Sequence, residues 1–269
     1  MFSDPQRRLD AFTRLLAVSV IACLGFSWKL WLTRPYYPLI PATAWIPKLP
    51  PGYDAAALAT MVSLLLAIAV FPRSRRLIWM LLAIWGFLFL QDQNRWWPSF
   101  YQFFVLFLWI ASTRLSTDEG IATRVLSGLQ FVFAAVYFWS GVQKLNGHFF
   151  EEEFPWFLEP VTSRLPWDVA VPSWLGMAAA LFEIAIGLGL LVPRLRQLAL
   201  YDALLMHFVI FFCIGPFREN WNNSAWIWNL TVALLAWVLF HRSPPATVRQ
   251  MFGASWPHYV VSTAVVLLI

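Results

Sequence analysis

The chain has 269 residues, of which 60% are hydrophobic, 18% aromatic and only 12% charged; its mean hydropathy is +0.63. A water-soluble domain of this size cannot hide that much apolar surface, so composition excludes a soluble globular protein. The formal charge of +5 does not point to nucleic acid, because the basic residues are scattered between apolar runs rather than gathered on one basic segment.

Several runs approach the roughly 20 residues that carry a helix across a bilayer. In chain order they cover about 15–32, 55–71, 77–90, 100–113, 125–145, 175–192, 198–215 and 224–240, and a ninth begins near 257. The expectation is all-α: a polytopic transmembrane helical bundle of about eight to nine spans, forming a single integral-membrane domain over 1–269. Arg7, Arg8 and Arg14 ahead of the first run imitate a signal peptide. The run continues into Ser27-Trp28-Lys29-Leu30-Trp31 with no small-residue cleavage site, which predicts a retained first span. The last apolar run stops at Ile269 without a polar tail and is too short to cross a bilayer, so a chain truncated at its C-terminus is expected.

With the N-terminus inside, the inner loops hold Arg7, Arg8, Arg14, Arg73, Arg75, Arg76, Arg114, Arg124, Arg194, Arg196, Arg242 and Arg249. The outer loops hold Arg34, Lys48, Arg95, Lys144, Arg164 and Arg218, together with the acids Glu151, Glu152, Glu153, Glu159 and Asp168. That bias predicts a cytoplasmic N-terminus. Cys23 and Cys213 both fall in apolar runs without a Cys-x-x-Cys pair, and no phosphate loop or metal-ligand spacing occurs, so no metal is expected.

Three polar groups collect on the expected outer side: Leu90–Tyr101, Tyr137–Asn146 and Glu219–Asn229. Aromatic belts at headgroup depth and helix caps explain much of them. They explain less well the amide-rich Asn222, Asn223 and Asn229 beside an acid and a lysine. Within the fifth run, Gln130, Tyr137, Gly141 and Lys144 recur at intervals of seven, four and three, which stacks them on one helix face. Gly141 would admit a neighbouring helix or a flat ring. Lys144 is then either a snorkelling anchor or a tuned base, its charge disfavoured by burial beside Trp139, Phe149 and Phe150.

Deeper in the sixth and seventh runs lie Glu183 and His207, joined through the short 193–197 turn. An isolated carboxylate at that depth is costly, and a Glu183–His207 contact would relieve the cost, as structural glue or as a proton relay.

The segment Tyr137-Phe138-Trp139-Ser140-Gly141-Val142-Gln143-Lys144-Leu145 resembles the YF-x-(A/S)-G-x-x-K-L segment of the vitamin K-dependent gamma-carboxylases and their bacterial HTTM relatives. Asp92, Trp96 and Tyr101 look like the family's Asp-x-x-x-Trp-x-x-x-x-Tyr element, with Ser99 where the carboxylases place a histidine. The His207–Phe217 stretch and Asn222–Asn229 are closer to DoxX/MauE-like membrane proteins. The resemblance touches about 90–230; the carboxylases' large lumenal domain has no counterpart here. It implies Lys144 as the base toward a vitamin K-like quinol, and a setting in the bacterial inner (plasma) membrane.

Two functions from different classes follow. One is a membrane enzyme of oxidoreductase or lyase type, in which Lys144, Glu183 and His207 are catalytic. A lipophilic quinol or quinone would be held by Asp92, Trp96, Tyr101, Tyr137, Asn222, Asn223 and Asn229, with the amides donating to a developing phenolate. The other is a non-catalytic accessory or scaffold protein whose partners are membrane lipids and a membrane or periplasmic protein. A transporter would need internal repeats or broken helices, and no clear repeat is found.

Overall fold

The computed structural model describes residues 4–33, 38–47, 50, 52–113, 120–166, 170–216 and 223–244. Among the described residues there are nine α-helices and no strand: α1 (Pro5–Ser27), α2 (Tyr53–Val70), α3 (Arg75–Gln91), α4 (Pro98–Thr113), α5 (Ile121–Gln143), α6 (Phe154–Thr162), α7 (Ser173–Leu191), α8 (Arg196–Ile214) and α9 (Asn223–Phe240). Eight of them coincide with the eight apolar runs. Five helical segments, α1 with the 3-10 turn that follows it, α2, α5, α7 and α8, are long and apolar enough to cross a membrane. α4 and α9 are shorter apolar helices. The ninth run, near 257, lies outside the described residues.

Where helices begin is set by chemistry that hydropathy does not register. α1 starts about ten residues before its apolar run because Asp4 caps it, accepting from the Gln6 amide at 2.9 Å, with proline at the first helical position. α2 starts after Gly52, whose φ of 84° is open to glycine at little cost. The segment expected to be an outer loop contains α6, preceded by a π turn at Phe149–Glu153 in which the Phe154 amide reaches back to the Phe149 carbonyl. Pro155 immediately follows; its ring would clash with the carbonyl four residues back, and the wider turn avoids that clash.

The chain divides into two compact units, one of 4–125 and one of 126–269 with the first three residues, so the boundary falls within α5. In the first unit α1 packs on α2, α2 on α3 and α3 on α4. Its core is aromatic: Trp31, Trp85 and Phe100 are fully buried, and Phe100 lies 4.9 Å edge-on from Trp31. In the second unit α7 packs on α8 and α8 on α9.

α5 and α7 approach through glycine. A Cβ on Gly141 would sit 2.7 Å from the Ala180 carbonyl, and one on Gly187 would sit 2.7 Å from the Ala134 carbonyl and the Phe138 amide. Where lipid is the solvent, small residues of this kind let backbones meet closely enough for packing to hold helices together. The neighbour that Gly141 admits is therefore a helix.

α8 is inverted relative to a water-soluble helix. Leu198, Tyr201, Leu205, Phe208 and Phe212, spaced by three and four, are exposed, whereas His207 and Arg196 on the opposite side are buried; Phe208 is 64% exposed and His207 5%. An apolar exterior around a polar interior is the arrangement a bilayer stabilises.

Candidate functional site

In the second unit α5 carries Tyr137 and Ser140 on the face that continues to Lys144, which lies on the tightened turn closing the helix, its amide bonded to the Gly141 carbonyl at 3.1 Å. Lys144 Nζ donates to Ser140 Oγ at 2.8 Å and to Glu183 Oε2 at 2.5 Å. The Lys144 side chain is 35% exposed and that of Glu183 10%, so the pair is open on the lysine side and sealed on the carboxylate side. A neutral pair of this geometry is far cheaper to place at low dielectric than either ion alone.

One helical step deeper, Tyr137 OH lies 2.8 Å from His207 Nε2, and His207 Nδ1 lies 2.9 Å from Asn229 Oδ1. Asn229 Nδ2 donates to the Ala225 carbonyl at 2.9 Å. That last bond fixes the direction of the chain. The amide nitrogen must face the carbonyl, so the amide oxygen faces His207 and can only accept. His207 therefore carries a proton on Nδ1, and in the neutral imidazole the Nε2 lone pair accepts from the Tyr137 hydroxyl. The order is Tyr137 O–H to imidazole, imidazole N–H to Asn229, Asn229 N–H to main chain. Tyr137 and Lys144 are seven residues apart, so both constellations start from one face of the same helix.

Several expectations are corrected here. Glu183 does not contact His207 through a hydrogen bond; it pairs with Lys144, and His207 is satisfied by Tyr137 and Asn229. Lys144 is not enclosed by aromatic rings alone: Trp139 is 47% exposed, and a carboxylate and a hydroxyl take up the ammonium. Asn229 spends its oxygen on His207 and one of its two Nδ2 hydrogens on the Ala225 carbonyl. Asn222 and the side chain of Asn223 lie outside the described residues. Ser140 is the participant that periodicity analysis passed over, although its i, i+4 relation to Lys144 was available as a signal. Gln130, on the same α5 stripe, bonds to the Leu239 carbonyl at 2.9 Å and to Ser243 at 3.0 Å, tying α5 to the end of α9.

Asp92, Trp96 and Tyr101 belong to the first unit. Asp92 is buried and accepts from the Asn94 amide at 3.1 Å and the Ile40 amide at 3.4 Å, closing the α3–α4 connection onto the 38–42 segment. Trp96 donates to the Phe89 carbonyl at 2.8 Å and is half-exposed. Tyr101 is half-buried on α4. Ser99 is buried, and its hydroxyl has no hydrogen-bond partner among the described residues. Between them Arg95 is buried, donating to the Leu88 carbonyl at 3.3 Å and the Trp31 carbonyl at 3.2 Å, with Asp92 at 3.9 Å. Burial pushes this guanidinium below its ordinary range, and the Asp92 carboxylate opposes that shift. Among the described residues no three His, Cys, Asp or Glu side chains gather as a metal-binding group.

Comparison with protein-family models, curated proteins and solved structures gives no match.

Proposed function

We propose that this chain is an integral membrane enzyme resembling the HTTM and vitamin K-dependent carboxylase group, in which Lys144 and Glu183 form the acid–base pair for a lipophilic quinol. The observation that carries the reading is the 2.5 Å Lys144–Glu183 contact at the mouth of α5, half-open on the lysine side. A quinol hydroxyl reaching that pair gives its proton to the Glu183 carboxylate, and the Lys144 ammonium stabilises the resulting phenolate. The pair has no net charge before the step, and after it the new anion sits beside the retained cation. Electrostatic stabilisation of this kind acts strongly where water is excluded. Ser140 holds the amine in line, and Tyr137 with His207 fixes the wall behind it.

The test is quinol consumption by the full chain reconstituted in lipid under air, with a reduced naphthoquinol followed by absorbance and dioxygen as the two-electron oxidant of the phenolate. Lys144→Ala is expected to lower turnover by roughly 10²- to 10⁴-fold, while tryptophan-fluorescence titration with the quinone changes little. Unchanged consumption in Lys144→Ala would sink the proposal.

A second reading has a specific observation in its favour. The Tyr137–His207–Asn229 chain is fully satisfied and cross-links α5, α8 and α9, which suits a DoxX/MauE-like accessory protein that presents a rigid surface to a membrane or periplasmic partner. That reading expects no quinol turnover in the wild type, and partner co-purification that survives Lys144→Ala.

A further inference from the structure

The first unit holds a cleft that the quinol reading does not use. It lies where the first part of α1 meets the turn between α2 and α3, has a volume of about 570 Å³, and is lined by Asp10, Arg14, Val70, Phe71, Pro72, Arg73 and Ser74. Asp10 and Arg14 are one helical turn apart on α1 and so share a face. Arg73 reaches across from the turn and donates through two nitrogens to Asp10 Oδ2, at 2.8 and 2.9 Å. Gln6 Nε2 occupies the other carboxylate oxygen at 2.7 Å. Both oxygens of Asp10, the only acid among the described residues lining the cleft, are thus engaged. Arg14, exposed on the same wall, makes no hydrogen bond or ion pair among the described residues.

The floor adds to the imbalance. Ser74 occupies the N-cap of α3, yet its hydroxyl makes no capping bond, and the first turn of α3 contains no acid. The turn that would ordinarily hold Asp or Glu carries Arg75 and Arg76, both exposed. Unsatisfied amides, the positive end of the helix dipole and uncompensated guanidinia all favour an anion at this place. The remaining wall is apolar: Val70 and Phe71 are 62% and 63% exposed. α1 and α2, whose ends form the cleft, are both long and apolar enough to cross a membrane, which sets the cleft at headgroup depth.

We infer that this cleft binds the headgroup of an anionic phospholipid, with the phosphate on Arg14, the Ser74 hydroxyl and the first amides of α3, and an acyl chain along Val70 and Phe71. A net-anionic diester suits a site whose guanidinia outnumber its carboxylate and whose rim is apolar. Planar guanidinium matches phosphate through two parallel hydrogen bonds, which an ammonium cannot reproduce.

The experiment is native mass spectrometry of the full chain in detergent, titrated with phosphatidylglycerol or phosphatidylcholine of the same acyl composition. Thermal unfolding with inorganic phosphate forms a separate arm. Phosphatidylglycerol is expected to bind at least about tenfold more tightly than phosphatidylcholine, and Arg14→Gln to lose about tenfold in affinity for it. Arg14→Lys should recover only part of that loss, and Arg194→Gln, a control for diffuse surface charge, should stay within about twofold. Arg14 makes no hydrogen bond or ion pair among the described residues, so its variants should unfold at the wild-type temperature in lipid-free detergent. Equal losses in Arg14→Gln and Arg194→Gln, or equal binding of the two lipids, would overturn the site. Stabilisation by inorganic phosphate equal to that by phosphatidylglycerol would overturn its assignment to lipid.

Discussion

In the unit of residues 4–125, the buried cation Arg95 is held by carbonyls of Trp31 and Leu88, and the acid beside it, Asp92, accepts from main-chain amides. In the unit that follows, Lys144 meets the side chain of Glu183, 39 residues away, and Tyr137 meets His207, 70 residues away. Both arrangements satisfy polar groups away from water. Only the second joins side chain to side chain through short hydrogen bonds, whereas Arg95 and Asp92 stand 3.9 Å apart. A peptide carbonyl can accept a hydrogen bond but cannot take up a proton near neutral pH, so the Trp31 and Leu88 carbonyls fasten Arg95 to the turn without exchanging protons with it. The Lys144–Glu183 pair can shift a proton between its own members or receive one from a third group, because an amine and a carboxylate face each other at hydrogen-bond distance.

The comparison breaks first at Arg95. Arg95→Met removes the donor to two buried carbonyls and the cation beside Asp92, and it should destabilise the protein by about 3 kcal/mol, measured by thermal or denaturant unfolding in micelles. A loss under about 1 kcal/mol would mean that the cluster does not fasten the turn.

At the other pair the expected cost is smaller, because Lys144 retains partial access to the surroundings. Glu183→Leu should cost about 2 kcal/mol by stranding the ammonium, and Glu183→Leu with Lys144→Met should regain most of it. A double-mutant cycle with no coupling would show that the 2.5 Å contact carries no energy, and the contrast between the units would lose its chemical half.

How much of this was legible follows from what each pattern encodes. Apolar runs located eight helices because a helix facing lipid on one side and helices on the other must be apolar nearly all round, and a window average detects that. The same average missed α6, which is short, contains Pro155 and Pro160, and follows three glutamates. It also missed the first turns of α1, where Arg7, Arg8 and Asp10 are helical through the Asp4 cap rather than through hydropathy.

The site was half legible. Helical period placed Tyr137, Gly141 and Lys144 on one face, and depth along α7 and α8 put Glu183 and His207 at comparable levels. Depth does not specify rotation. Which way Glu183 points depends on the α5–α7 approach at Gly141 and Gly187, a contact between residues distant in sequence that no local pattern encodes. The Asp92 element shows a different limit: its residues match a motif by type, while the hydrogen bonds of Asp92 and Trp96 go to main-chain groups, which a side-chain motif does not record.

The smallest effect probes the direction of the hydrogen-bond chain in the second unit. Tyr137→Phe removes one buried donor at nearly constant volume and should cost about 1 kcal/mol. Its informative readout is the ¹⁵N spectrum of histidine-labelled protein, in which His207 is assigned by its loss in His207→Gln. In the wild type His207 should be neutral with the proton on Nδ1, because Asn229 Oδ1 faces that nitrogen as an acceptor and Asn229 Nδ2 is committed to the Ala225 carbonyl. Tyr137→Phe leaves the Asn229 contact in place, so the tautomer should persist while the Nε2 resonance moves toward that of a free lone pair. Asn229→Leu should release the ring to mix tautomers. If Tyr137→Phe instead relocates the proton, the hydroxyl was accepting from His207. The chain would then run toward Tyr137 and the Lys144–Glu183 pair, which reverses the path by which a proton could enter or leave the site.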